Sequence, residues 1–189
     1  MINIRLFRDE GVVTGSRGTP LEVTNFNMKD SASYTVEYYT TEETTGAALI
    51  RPTVAGEQML SYKVYTFIMV EGAAERLKNL RFKVTREDTA DADKAQLFYK
   101  MTNVYAAPDN AFDGDMLLMA NNDGVVLTPT IYPNLSTVGP HLATTRAVEY
   151  TSYPLYTNYF VTQMRVNKDS LVGNTAEFKL RFEAYEYEV

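Results

Sequence analysis

The chain has 189 residues, 18 of them basic and 24 acidic, for a formal net charge of -6. It has no cysteine and one histidine, His141, which excludes disulfide frameworks, thiolate metal sites, cysteine nucleophiles and multi-histidine metal centres. The acidic balance argues against nucleic-acid binding, no apolar run is long enough for a membrane helix, and residues 1–10 do not read as a signal peptide.

Thr, Val, Ile, Tyr and Phe account for 67 of the 189 residues, and sustained helical spacing is rare. Such residues suit a pleated, half-buried surface, so the chain reads as all-β. In chain order, residues 23–28 and 34–40 are predicted strands joined by the turn-like Lys29-Asp30-Ser31. In residues 62–70, Tyr62, Val64, Thr66, Ile68 and Val70 alternate with Lys63, Tyr65, Phe67 and Met69. Both faces are largely apolar, which is the mark of a central strand. Residues 73–80 and 88–95 have the spacing of short helices. Between them, Phe82 and Val84 mark a strand. The basic stretch from Arg76 to Arg86 then reads as a polar strand face rather than a phosphate site. Leu97, Tyr99 and Met101 mark another strand.

Asn122-Asp123-Gly124 is a turn signal between strands at 116–119 and 125–131. Phe160, Thr162, Met164 and Val166 alternate with Tyr159, Val161, Gln163 and Arg165. At the end, Ala176, Phe178, Leu180, Phe182 and Ala184 alternate with Glu177, Lys179, Arg181 and Glu183. There the phase flips to Tyr185, Tyr187 and Val189, which predicts a bulge or a change of environment. Residues 11–20, 40–48 and 129–140 read as loops. With no linker and no repeat, residues 1–189 form one predicted domain. The expected architecture is an antiparallel β-sandwich with one or two short helices, the jelly roll being one form it can take.

Few constellations carry chemistry. Asp109, Asp113 and Asp115 lie close together around Gly114, as calcium ligands can, but without the regular ligand spacing of an EF-hand. Asp88, Asp91 and Asp93 form a second acidic stretch. His141 follows Gly139-Pro140 in a loop, and no Gly-x-Ser-x-Gly elbow accompanies it. Gly15-Ser16-Arg17-Gly18 lacks the Walker lysine, and Asn134-Leu135-Ser136 matches a glycosylation acceptor of the kind that occurs by chance. The cluster Tyr150, Tyr153, Tyr156 and Tyr159 has two readings: rings stacking on a sugar or partner, or core and subunit packing. Thr40, Thr41, Thr44 and Thr45 form a Thr-rich arm. With the tail residues Tyr185, Tyr187 and Val189, the arm and the tyrosine cluster are the expected subunit contacts.

Three runs carry a resemblance. They are Arg17-Gly18-Thr19 leading to Asn25-Phe26-Asn27-Met28-Lys29-Asp30; Tyr62-Lys63-Val64-Tyr65-Thr66-Phe67; and Tyr156-Thr157-Asn158-Tyr159-Phe160-Val161-Thr162-Gln163-Met164 followed by Gly173-Asn174-Thr175-Ala176. Taken in order, they resemble a group of small β-rich virion proteins of tailed bacteriophages. The ending Tyr-Glu-Tyr-Glu-Val departs from the Thr/Tyr-Asp-Glu pattern of that group.

The resemblance implies a non-enzymatic structural subunit of the virion, assembled in the host cytoplasm. It would decorate or cement the capsid, or serve as a neck or tail appendage. Its implied partners are major capsid or neck and tail proteins and further copies of itself, with no nucleic acid, membrane or cofactor. A receptor- or carbohydrate-binding module built on the tyrosine cluster is the alternative. A carboxylate hydrolase using Asp113 or Asp115 is the third reading.

Overall fold

Alternating apolar side chains bury one face of a strand, and strands apolar on both faces must lie inside a sheet. That logic organises the computed structural model, which describes residues 2–9, 19–23, 32–35, 52–72, 77–86, 95–119, 124–127, 129–130, 149–150, 154–168 and 179–187. The described residues are all strand, turn or irregular, with no helix. In chain order the strands are β1 (Ile2–Asp9), β2 (Leu21–Glu22), β3 (Ala32–Thr35), β4 (Gln58–Leu60), β5 (Val64–Gly72), β6 (Leu77–Arg86) and β7 (Ala95–Thr102). They continue with β8 (Leu117–Met119), β9 (Gly124–Leu127), β10 (Pro129–Thr130), β11 (Glu149–Tyr150), β12 (Leu155–Thr157), β13 (Tyr159–Asn167) and β14 (Lys179–Tyr187). The fold is all-β, and every pairing among them is antiparallel.

Nine of these strands form one sheet, whose path runs β10-β12-β5-β13-β7-β8. Outside that path, β1 pairs with β5 and β2, and β4 pairs with β13. The other five, β11-β6-β14-β3 with β9 beside β6, form a second sheet. Central β5 is apolar on both faces, and Val64 to Val70 are all buried. One edge of β5 pairs with β1 over eight residues, from Ile2↔Gly72 to Asp9↔Tyr65. The other edge is shared between β12 and β13.

This shared edge carries two opposed bulges. Between the pairs Leu60↔Arg165 and Val64↔Thr162, Ser61, Tyr62 and Lys63 face only Gln163 and Met164. Between Thr66↔Phe160 and Met69↔Tyr156, Thr157, Asn158 and Tyr159 face only Phe67 and Ile68. One strand gains a residue at the first site and its partner gains one at the second, so the register slips and then returns. Hydroxyl side chains repair the ladder at both sites. Ser61 Oγ accepts from the Met164 amide at 2.9 Å, and the Ser61 amide donates to the Met164 carbonyl at 2.9 Å. Thr157 Oγ1 accepts from the Ile68 amide at 2.9 Å, while Thr66 Oγ1 donates to the Phe160 carbonyl at 3.0 Å. A buried backbone N–H needs a partner, and here a short polar side chain supplies it.

Register pairing assigns side chains to faces. Arg5, Phe7 and Asp9 share one face with Tyr65, Phe67, Tyr159, Val161, Gln163 and Phe98. Leu6, Ile68, Phe160, Leu97, Leu155 and Met119 lie on the other and are fully buried. At the β1 end, Arg5 bridges Glu22 and Glu71, with its Nε donating to Glu22 Oε1 at 2.8 Å. This raises the Arg5 pKa and lowers that of Glu22, chiefly through their hydrogen bond. Both partners remain about a third exposed, at 32% and 37%. Arg5→Met is therefore expected to shift the unfolding free energy by no more than about 1 kcal/mol. Urea titration at neutral pH checks this.

Several expectations change. Residues 73–80 were expected to be helical, but Leu77–Leu80 belong to β6, pairing with Tyr150 and Tyr187. Two short turns of helix cannot compete with a strand that has partners on both edges. Residues 88–94 lie outside the described residues. The Asn122-Asp123-Gly124 signal does not join a hairpin: β8 pairs with β7, whereas β9 pairs with β6 in the other sheet. Of the predicted 23–28 and 34–40 pair, the structure describes Val23, Tyr34 and Thr35: the Val23 amide donates to the Leu6 carbonyl and Tyr34 pairs with Leu180, while residues 24–31 and 36–40 lie outside the described residues. Pro129 and Thr130, shared by the predicted 125–131 strand and the predicted 129–140 loop, form β10 beside β12. The tail does carry an irregularity, between Tyr185 and Tyr187. The extra residue, however, is on β6, where Asn79 and Leu80 face Glu186 alone.

Candidate functional site

The most elaborated region is the loop of residues 103–116 between β7 and β8, which crosses the first face of the nine-stranded sheet. Its two ends are buried, Tyr105 at 5% and Met116 at 5% exposure. They pack into a cluster with Tyr65, Phe67, Phe98, Tyr159 and Val161. Tyr105 meets Tyr65 edge-on at 4.9 Å between ring centroids, and lies tilted against Tyr159 at 5.7 Å. Aromatic rings prefer such edge-to-face contacts because their faces are negative and their edges positive. Farther along, Phe112 lies edge-on to Phe98 at 5.1 Å, and the Arg165 guanidinium sits 4.5 Å from the Phe98 ring centre.

Between these anchors the loop is held by polar contacts. The Lys63 amide, turned outward by the bulge, donates to the Asp109 carbonyl at 3.0 Å. Lys63 Nζ, nearly buried, donates to Asp109 Oδ1 at 2.6 Å. Lys100 Nζ pairs with Asp113 Oδ2. Gln163, fully buried, donates through Nε2 to the Ser61 carbonyl at 2.8 Å and to the Ala111 carbonyl at 3.3 Å. Its Oε1 is a buried acceptor without a partner. Two local turns shape the loop: Asp109 Oδ1 also accepts from the Ala111 amide at 3.0 Å, and Asp113 Oδ1 from the Asp115 amide at 3.1 Å. Aspartate favours such turns because its short carboxylate reaches the backbone two residues on.

The electrostatics follow from these contacts. Lys100, and next the Asp115 amide, hold the Asp113 carboxyl below the usual aspartate range. Burial, helped by the charges of Asp109 and Asp113, pushes Tyr65 up to about 12. Tyr65 is therefore a neutral packing ring at physiological pH. A glycosidase acid needs a raised pKa, and Asp113 is displaced in the opposite direction.

The calcium candidates Asp109, Asp113 and Asp115 do not converge. Asp109 and Asp113 turn to separate lysines, and Asp115 is exposed. Among the described residues no three His, Asp or Glu side chains gather where they could hold an ion. Of the tyrosine cluster, Tyr159 is corrected from a contact residue to a core residue. It is 1% exposed, its ring lies 5.6 Å from Tyr65 and 5.7 Å from Phe67, and its hydroxyl donates to Asp9 Oδ2 at 3.0 Å. Tyr156 is half-buried against Phe67, with 5.9 Å between ring centroids. Tyr150 pairs with Leu77 through its backbone, as do Tyr185 with Arg81 and Tyr187 with Lys78. Thr40, Thr41, Thr44, Thr45, Tyr153 and Val189 lie outside the described residues, as do His141, Asp88, Asp91 and Asp93.

Two features escaped the sequence reading. Strand β1 is visible in hindsight as Ile2, Ile4 and Leu6 alternating with Asn3 and Arg5. The exposed apolar edge at β8, with Leu117 at 60% and Leu118 at 49% exposure, has no such signal. Compared with known proteins, the chain matches no family model, no curated protein and no solved structure.

Proposed function

We propose that this chain is a non-enzymatic structural subunit of a bacteriophage virion, decorating or cementing the capsid through contacts between subunits. The reading starts from the three runs that resemble small β-rich virion proteins. The exposed apolar edge at β8 is the structural observation that supports it most. Leu117 and Leu118 point to opposite sides of a short edge strand and both remain largely exposed, and Phe112, against Phe98, is 43% exposed. Exposed apolar surface at a sheet edge fits a subunit that completes its burial on assembly. A docking subunit stabilises the assembled state by binding it and not the free components. The buried second face of the nine-stranded sheet also fits a sandwich in which the five-stranded sheet supplies the opposing layer.

Tagging the chain in purified phage particles tests this reading. Regular label over the head is the expected result. Label at one vertex or along the tail would transfer the subunit to the neck or tail, and unlabelled particles would overturn the virion reading. The carbohydrate-binding reading loses Tyr159, whose ring is buried among other aromatic rings.

A further inference from the structure

We propose that residues 107–115 form a charge-latched strap, which lifts from the sheet between its buried anchors Tyr105 and Met116 while β5, β7 and β13 stay folded beneath it. This does not depend on the virion reading. Tyr105, Ala106 and Met116 at its flanks pack into the aromatic cluster and anchor it, whereas residues 109–112 between them are exposed and the Phe112 ring rests, 43% exposed, against Phe98. Its middle is attached by the Lys63–Asp109 and Lys100–Asp113 pairs and the Gln163–Ala111 hydrogen bond. Segments held by few apolar contacts open at a lower free energy than the sheet they cover.

The charged and titratable groups facing the two aspartates are Lys63 and Tyr65 from the β4–β5 segment and Lys100 from β7. Arg165 approaches Phe112 from β13, and Asp115 is the neighbouring acid within the strap. The latch therefore consists of two lysines against two aspartates. The Asp113 carboxyl, held below the usual aspartate range by Lys100, stabilises the closed form above the ordinary aspartate value of about 3.9 and ceases to do so as pH falls through its depressed value. The Lys100–Asp113 half of the latch is thus held at neutral pH and released in acid.

Amide hydrogen exchange on the full chain tests this. D109N/D113N removes both charges but leaves side-chain oxygens that can still accept from the Ala111 and Asp115 amides. At neutral pH the Lys63 amide, which donates from the sheet to the strap's Asp109 carbonyl, is expected to lose protection about tenfold, with β13 amides unchanged. Acid should do the same to the unmodified protein to a smaller extent, through Asp113. If the double variant fails to fold, K100M removes one pair alone and should produce the same selective loss to a smaller extent. Lys63 and β13 amides exchanging together in every variant, or the Lys63 amide keeping full protection without the charges, would overturn the proposal.

Discussion

Replacing Tyr159 with alanine is expected to lower the unfolding free energy by about 3–5 kcal/mol, the usual cost of deleting a large ring from a packed core. The ring lies within 6 Å, centroid to centroid, of Tyr65, Phe67 and Tyr105. Its hydroxyl reaches Asp9, 150 positions away in sequence and only 3% exposed. Tyr159→Phe separates the two contributions. It keeps the ring and removes one donor from a buried carboxylate, for an expected loss of about 1–3 kcal/mol. Urea titration followed by far-ultraviolet circular dichroism measures both. An alanine variant that loses under about 1 kcal/mol would contradict the burial of this ring.

The second large effect lies at the paired bulges. Ser61→Ala strips the acceptor from the Met164 amide, and Thr157→Val strips it from the Ile68 amide with almost no change of shape. Each leaves a buried backbone donor without its partner, for an expected cost of about 1–3 kcal/mol. The two variants should also accelerate exchange at the single amide each has orphaned, which distinguishes this cause from general loosening. If both variants matched the unmodified protein in stability, the hydroxyls would not be repairing the ladder.

Much of the nine-stranded sheet was legible because its central strands bury both faces. Residues 62–70 and 159–166 announce themselves by apolar residues in both phases, and both are central strands. The end of the first segment was misjudged, because Tyr62 and Lys63 sit in a bulge rather than in the strand. A bulge is fixed by register against a distant partner, and no local pattern encodes it. The helical reading failed at Leu77–Leu80 for the same reason, since the partners of Leu77 and Lys78 come from β11 and β14.

The strap was visible only as an acidic loop. Asp109 and Asp113 look like cation ligands when read along the chain. Their actual partners, Lys63 and Lys100, are 46 and 13 positions away. Tyr159 likewise belongs to a regular spacing of tyrosines that does not distinguish core from surface. Its burial is decided by the loop that folds over it.

The layout of β5 has a consequence for how the protein is made. One edge of this strand is closed by the N-terminal strand β1, but the other waits for β12 and β13, with Thr66 reaching Phe160 across 94 positions. A growing chain therefore holds an apolar strand with an open edge until residues 155–162 have been synthesised. Such non-local pairing slows folding, and an open apolar edge recruits other chains. A message cut short before Leu155 is expected to yield a polypeptide that aggregates rather than a smaller soluble domain, so the nascent chain calls for chaperone cover from the making of β5 until β12 and β13 emerge.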